Sequence, residues 1–352
     1  DVIIICVPTP LNKFKEPNLK PVQDSASLIK DHLNIGQLVI LESSTYPGTT
    51  DDLLSKELEK SGLKANEDFF LAYSPEREDP GNKKFSTQTI PKIVGADTSS
   101  SRRLAQNLYE QVISEVISVS SSRTAEATKL TENIFRSVNI ALVNELKVIY
   151  DVMGIDIWEV IDAASSKPFG YMPFYPGPGL GGHCIPIDPF YLTYKAREYD
   201  VPTKFIELAG EINTSMPHFV MRKIIDSLSL FSNKSISKSK ILIIGMAYKK
   251  DIDDFRESPS LTLASILKKN KAKVSYHDNF IPKLPELGDF PNLSGMKSVN
   301  LTRKKIESYD AVLIITDHSY LDFELIANHS NLIIDTRNAM VGIKTSATVI
   351  KA

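Results

Sequence analysis

Val2-Ile3-Ile4-Ile5-Cys6-Val7-Pro8-Thr9-Pro10 begins as a continuous run of mostly β-branched residues and stops at a Pro-Thr-Pro loop. A run without alternation reads as a parallel strand buried on both faces, with Cys6 a small buried hydrophobe inside it. Working outward, Leu38-Val39-Ile40-Leu41 reads as a second strand, ending at Glu42-Ser43-Ser44-Thr45, and Asp51 to Ser61 as a helix closed by Gly62. Phe69 to Tyr73 is a third strand, running into Ser74-Pro75-Glu76-Arg77, and Lys92 to Gly95 a fourth, followed by a helix to Val112. This alternation implies a parallel, doubly wound α/β sheet with ligands at the carboxyl ends of its strands.

After Ser122 the apolar positions Leu130, Ile134, Val138, Leu142, Leu146 and Ile149 recur at three- and four-residue steps, which predicts one long helix closed by Gly154. Helical segments are predicted over 157–164 and from Pro189 to about Ser229, separated by a loop rich in Pro and Gly from Lys167 to Pro189. A polar linker, Ser232 to Lys240, leads to Ile241-Leu242-Ile243-Ile244-Gly245, a second buried strand. A helix from Ser260 to Lys269 and strands at 273–277, 311–316 and 332–335 complete a second α/β domain.

Charge and composition exclude several classes. A net charge of −2 with both signs mixed makes no electrostatic case for nucleic acid or an anionic membrane surface. Apolar residues make up 42%, enough for a packed core, and no apolar run is long enough to span a bilayer. Two cysteines, Cys6 and Cys184, give no disulfide framework and fit a reducing cytoplasm. No metal-ligand cluster accompanies Cys184.

The chemistry concentrates in Gly179-Leu180-Gly181-Gly182-His183-Cys184-Ile185-Pro186-Ile187-Asp188. A cysteine in a glycine-rich loop reads as a nucleophile more readily than as core filler, whereas His183 is open between substrate contact and filling space. Asp188 either accepts a proton or caps the helix after it. Glu126, Lys129 and Asn133 share one face of the long helix, where Lys129 and Asn133 can stabilise an oxyanion; a solvated polar face is the bland alternative. Thr45 and Glu76 end strands, as a water-holder and a base or as ordinary turn residues. Lys249, Asp251 and Arg256 follow the strand ending at Gly245, where phosphate would bind; Arg256 paired to Glu257 on the surface is the competing reading.

Taken in order, Val7-Pro8-Thr9-Pro10, Glu42-Ser43-Ser44-Thr45, Ser74-Pro75-Glu76-Arg77, Glu126 to Asn133, Gly181-Gly182-His183-Cys184 and Lys249-Lys250-Asp251 to Arg256-Glu257-Ser258 closely resemble the UDP-glucose and GDP-mannose dehydrogenase family over the whole chain. The resemblance implies an NAD-dependent, four-electron oxidation of a nucleotide-sugar C6 alcohol to a carboxylate. Cys184 would form a thiohemiacetal and then a thioester. Lys129 and Asn133 would stabilise the oxyanion, Asp188 would support proton transfer, and Thr45 and Glu76 would position the hydrolytic water. It implies that Val7, Pro8, Thr9, Pro10, Ser44, Thr45 and Arg256 contact NAD. Glu76, Arg77, Lys129, Asn133, Tyr175, Gly177, Gly179, Gly181, Tyr248, Lys249 and Arg337 would contact the UDP-sugar.

The resemblance further implies two Rossmann-like domains, 1–121 for NAD and 232–352 for the UDP-sugar. Between them, 122–231 would be a helical segment that carries the cysteine loop and pairs two copies into a homodimer. Ile187, where UDP-glucose enzymes have a lysine, points to the UDP-N-acetylhexosamine branch, with UDP-N-acetylglucosamine first and UDP-N-acetylmannosamine second; UDP-glucose is a further alternative. The family's Gly-x-Gly-x-x-Gly turn and ribose-binding acid are absent, so a βαβ unit of about 30 residues or more is expected upstream of Asp1. A UDP-sugar-binding chain without catalysis is the alternative in a different class.

Overall fold

The computed structural model describes residues 1–352 except Lys13, Lys83 and His183. It divides into two compact units, Asp1–Arg136 with Ile187–Glu207, and Ser137–Pro186 with Leu208–Ala352. Both are α/β, as the alternating pattern predicts. Among the described residues no helix is long and apolar enough to cross a membrane.

The first unit carries one sheet in the order β1 (Val2–Ile5), β2 (Leu38–Leu41), β3 (Phe70–Tyr73), β4 (Lys92–Gly95), β5 (Val116–Val119). β1, β2 and β3 pair in parallel, and β4 pairs in parallel with β5. β3 and β4 meet antiparallel at Tyr73 and Gly95, which departs from the all-parallel expectation. The reason is the connection: among the described residues no helix crosses over between Tyr73 and Lys92, so the chain returns in the opposite sense. Residues of all the middle strands are buried, and one apolar cluster joins Val39, Leu41, Leu71 and Tyr73 to Leu130 and Tyr191.

β1 corrects the reading of its sequence. It pairs only with β2 among the described strands, and Val2 and Ile4 lie 40% and 45% exposed. Cys6 falls just past the strand and, among the described residues, is exposed where the sequence suggests a buried position.

The long helix, Ser122–Met153, has the predicted extent; its residues to Arg136 belong to the first unit and those from Ser137 to the second. The helical stretch predicted from Pro189 onward is made of two helices, Asp188–Arg197 and Lys204–Ser232. Asp200 sits at φ 55° and Pro202 follows, and both oppose continuation of a helix.

The second unit's sheet is fully parallel, in the order β10 (Thr348–Lys351), β9 (Leu332–Asp335), β8 (Ala311–Ile314), β6 (Lys240–Ile244), β7 (Lys273–His277). Ile241 and Ile243 join one apolar cluster and Leu242 and Ile244 another, so β6 is covered on both faces. That is why its sequence from Ile241 to Ile244 is uninterrupted Ile and Leu.

Candidate active site

In the first unit the long helix does not present a solvated face at its polar stripe. Glu126, Lys129 and Asn133 are all buried. Glu126 accepts the backbone N–H of Gly48 at 2.6 Å, and the N–H and hydroxyl of Thr50 at 2.9 and 2.7 Å. It therefore caps the helical run Thr49–Leu54 from outside that run. Burial pushes its carboxyl up to about 7 against those three donors.

Asp188 does not cap its helix by side chain, since it is the first helical residue and Ile187 precedes it as the cap. Its Oδ2 accepts the Nδ2 amide of Asn133, and its Oδ1 is buried with no hydrogen bond of ordinary geometry. Burial raises its carboxyl to about 6, opposed by the charge of Lys129, the Asn133 bond and Arg136. Lys129 donates Nζ to the backbone carbonyl of Glu76. Asn133 is thus bonded to Asp188, and Lys129 both neighbours that carboxyl and reaches the Glu76 backbone.

Glu76 follows β3, and its side chain is 48% exposed. Arg77 is committed locally: its guanidinium pairs with Glu132 at 2.7 Å and donates to the carbonyl of Pro91 at 2.5 Å. At the end of β1, Val7 N–H donates to Ser43 Oγ at 2.8 Å, and the Thr9 carbonyl accepts the Tyr191 hydroxyl at 2.7 Å. Pro8 is exposed and Pro10 and Ser44 half-buried beside them. Thr45, after β2, is wholly buried and its Oγ1 has no ordinary hydrogen-bond partner. It neighbours the Tyr73 hydroxyl, and a hydroxyl at the carboxyl end of a parallel strand is of the kind that meets the carboxamide of a nicotinamide cofactor.

In the second unit the glycine loop is held by two asparagines that sequence reasoning missed. Gly177 N–H donates to Asn144 Oδ1 at 3.0 Å, Asn144 donates to Asn213 Oδ1 at 2.8 Å, and Asn213 donates to the Ser137 carbonyl at 3.0 Å. Their signal was weak, because single asparagines inside long helices read as exposed. The glycines have a packing reason. A Cβ on Gly177 would lie 2.8 Å from the Arg337 guanidinium, and one on Gly181 2.5 Å from Tyr248 Cβ. Gly179, at φ 136°, lies over Pro259 and Pro217. Gly182 donates to the Arg256 carbonyl at 3.0 Å. Cys184 follows two residues later, half-buried and outside any disulfide; His183 lies outside the described residues.

Beneath that loop the turn after β6 is closed. Buried Asp278 accepts the N–H groups of Met246 and Ala247 at 2.7 and 3.0 Å and faces His318 Nε2 at 3.1 Å. Asp251, at φ 60°, donates its N–H to His318 Nδ1 at 2.9 Å and accepts from Ser319. The segment from Tyr248 to Arg256 is therefore pinned at its middle, with Tyr248 and Lys249 half-buried. Arg337 donates Nε to the Ile315 carbonyl at 2.7 Å. Arg256 pairs with Asp254 at 2.7 Å, not with Glu257. Tyr175, half-exposed, donates to Asp162 at 2.7 Å.

Comparison with known proteins decides what this arrangement is. The NAD binding domain of the UDP-glucose/GDP-mannose dehydrogenase family matches residues 1–113, its central domain 123–215 and its UDP binding domain 242–341. A UDP-N-acetyl-D-glucosamine 6-dehydrogenase of Pseudomonas aeruginosa is 34% identical over 321 residues, covering 91% of this chain and 74% of its own. The chain belongs to the UDP-glucose/GDP-mannose dehydrogenase family. A UDP-N-acetyl-D-mannosamine dehydrogenase of Methanocaldococcus jannaschii is also 34% identical, over 353 residues, covering 97% of this chain and 76% of its own. A solved UDP-D-ManNAc dehydrogenase from Pyrococcus horikoshii superposes with a TM-score of 0.87 at 31% identity, over 99% of this chain and 80% of that one. The family assignment makes this an NAD-dependent nucleotide-sugar dehydrogenase, with the cofactor's domain at the first unit's sheet and the UDP domain at the second's.

Proposed function

We propose that the chain oxidises the C6 hydroxyl of a UDP-N-acetylhexosamine to the carboxylate, UDP-N-acetylglucosamine before UDP-N-acetylmannosamine. The observation that carries this is the buried Asp188–Asn133 pair beside Lys129 in a unit matched by the family's NAD binding domain. Relatives named for both acetamido sugars, and Ile187 in place of the lysine of UDP-glucose enzymes, support the acetamido class.

Val7 to Pro10, Ser44 and Thr45 hold NAD+ in this reading, which when bound takes a hydride from C6 in each of two oxidations. Asp188 accepts the proton that leaves the C6 hydroxyl as the aldehyde forms. The Cys184 thiolate then adds to the aldehyde carbon, and the carbonyl oxygen becomes an oxyanion stabilised by Lys129 and Asn133. Loss of the second hydride leaves a thioester. Water held by Thr45 and Glu76 attacks it, releasing the carboxylate and returning the thiol. Tyr175, Gly177, Gly179, Gly181, Tyr248, Lys249 and Arg337 hold the UDP-sugar. The test supplies NAD+ with each UDP-sugar and follows NADH. Two NADH per UDP-N-acetylglucosamine is the expected result, and UDP-sugar binding without NADH would instead support a non-catalytic binding protein.

We also propose that two copies pair through the long helix. Leu142, Ile149, Val152 and Met153 of that helix stand exposed, an apolar stripe of the kind that partner surfaces carry.

A further inference from the structure

Lys92 opens β4 and is 7% exposed, and a buried ammonium needs partners. Its Nζ lies 3.1 Å from Oε1 of Glu42, at the end of β2, and 3.3 Å from Oε2 of Glu76, after β3. Tyr109, from the helix Ser99–Tyr109, donates its hydroxyl to the same Glu42 oxygen and sets its ring centroid 5.2 Å from Nζ. Cys6, past β1, donates Sγ–H to the other Glu42 oxygen at 3.5 Å. Glu42 is the inner carboxylate, its side chain 14% exposed. Glu76 is the outer one, with Oε1 accepting the Glu78 N–H at 2.6 Å and its own carbonyl accepting Lys129.

We propose that Lys92 is a positioning residue for the oxidation, a buried ammonium shared by Glu42 and Glu76 that aims the Glu76 carboxylate and keeps it ionised. The inference rests on the reading of Glu76 as a water-orienting group. Charge arithmetic separates this from simple structural pairing. Glu42 alone would neutralise Lys92, yet the ammonium also reaches a second carboxylate, and a buried pair is weak evidence of stabilisation for its own sake. A cation within about 4–6 Å lowers a carboxyl pKa by roughly 1–3 units. Burial works to raise Glu76, but Lys92 and the N–H groups of Glu78 and Arg77 outweigh it and hold it below the usual range. The other charged or titratable groups of this cluster are Glu42, Tyr109, Cys6 and Lys129, while Arg77 is committed to Glu132.

The test is a carbon-13 NMR titration of Glu76, assigned by its loss in Glu76→Gln, in the parent, in Lys92→Arg, and in the double variant Lys92→Met/Glu42→Gln. The double variant removes both buried charges together, so it folds where Lys92→Met alone leaves Glu42 unpaired. Glu76 should titrate alike in the parent and Lys92→Arg. In the double variant its midpoint should rise by at least about one pH unit, tenfold in proton affinity. An unchanged midpoint in the folded double variant overturns the proposal. Full turnover by Glu76→Gln overturns instead the role given to Glu76, so the two failures are told apart.

Discussion

Asn133 donates its side-chain amide to Asp188, and both side chains are wholly shielded from solvent. The Asn133 position lies on the long helix and the Asp188 position on the helix that follows the cysteine loop. The bond fixes which way the amide faces, and it leaves a carboxylate raised by burial to about 6 as a proton acceptor.

The pH dependence of turnover follows from that carboxylate. In the proposed reaction Asp188 acts ionised, so kcat should rise with pH through about 6 and then level. Asp188→Asn should lose that limb and lower kcat by roughly 10²–10⁴-fold, the usual contribution of a positioned base. A kcat–pH profile of both proteins checks it. The folded-state pKa lies above the ordinary 3.8, so stability due to this group is present at acid pH and is lost as pH rises from about 4 through about 6.

Glu126 predicts a stability effect away from chemistry. Glu126→Gln can satisfy the Gly48 and Thr50 donors only in part and sets an amide N–H against them, at a cost of about 2 kcal/mol. Because burial raises this carboxyl from 4.5 to about 7, the wild-type advantage should be largest near pH 4.5 and shrink as pH rises through 7. Urea midpoints of the two proteins at several pH values measure this directly.

The glycine loop gives a steric prediction. Gly181→Ala places a Cβ 2.5 Å from Tyr248 Cβ, where neither atom is the end of a flexible chain. Overpacking of this kind costs about 1–3 kcal/mol, and calorimetry should show UDP binding weakened accordingly. Gly288→Ala, with nothing within 4 Å, is the control and should stay within about 0.5 kcal/mol of the parent in stability.

Pairing through the long helix predicts that Ile149→Glu, which puts a charge into the exposed stripe, turns a dimer into a monomer in light scattering. A parent protein that is monomeric at micromolar concentration would contradict the pairing itself.

What the sequence made legible was what is local. Strands β2, β3, β4, β6, β8 and β9 announce themselves by apolar runs, and the long helix by a periodic stripe. β5 and β10 were not read, because Ser118 and the half-buried Thr348 to Lys351 break the apolar signal that their pairing makes unnecessary. The Cys184 loop was readable as a loop, but not the reason for its glycines, which comes from Tyr248 and Arg337 far along the chain. Glu42, Glu76, Lys92 and Tyr109 form one cluster only because four elements converge, and no spacing in sequence encodes that. The edge position of β1 among the described strands, and the exposure of Cys6, depend on what stands beside the strand rather than on its composition.

The central claim is that Cys184 carries the sugar covalently between the two oxidations. Its most direct measurement is product analysis of Cys184→Ser and the parent, each supplied with NAD+ and UDP-N-acetylglucosamine, with UDP-sugar binding measured alongside. The account predicts that the parent forms the uronate and that the serine variant binds the UDP-sugar but does not complete the oxidation. Uronate formed by the serine variant at the parental rate would contradict it.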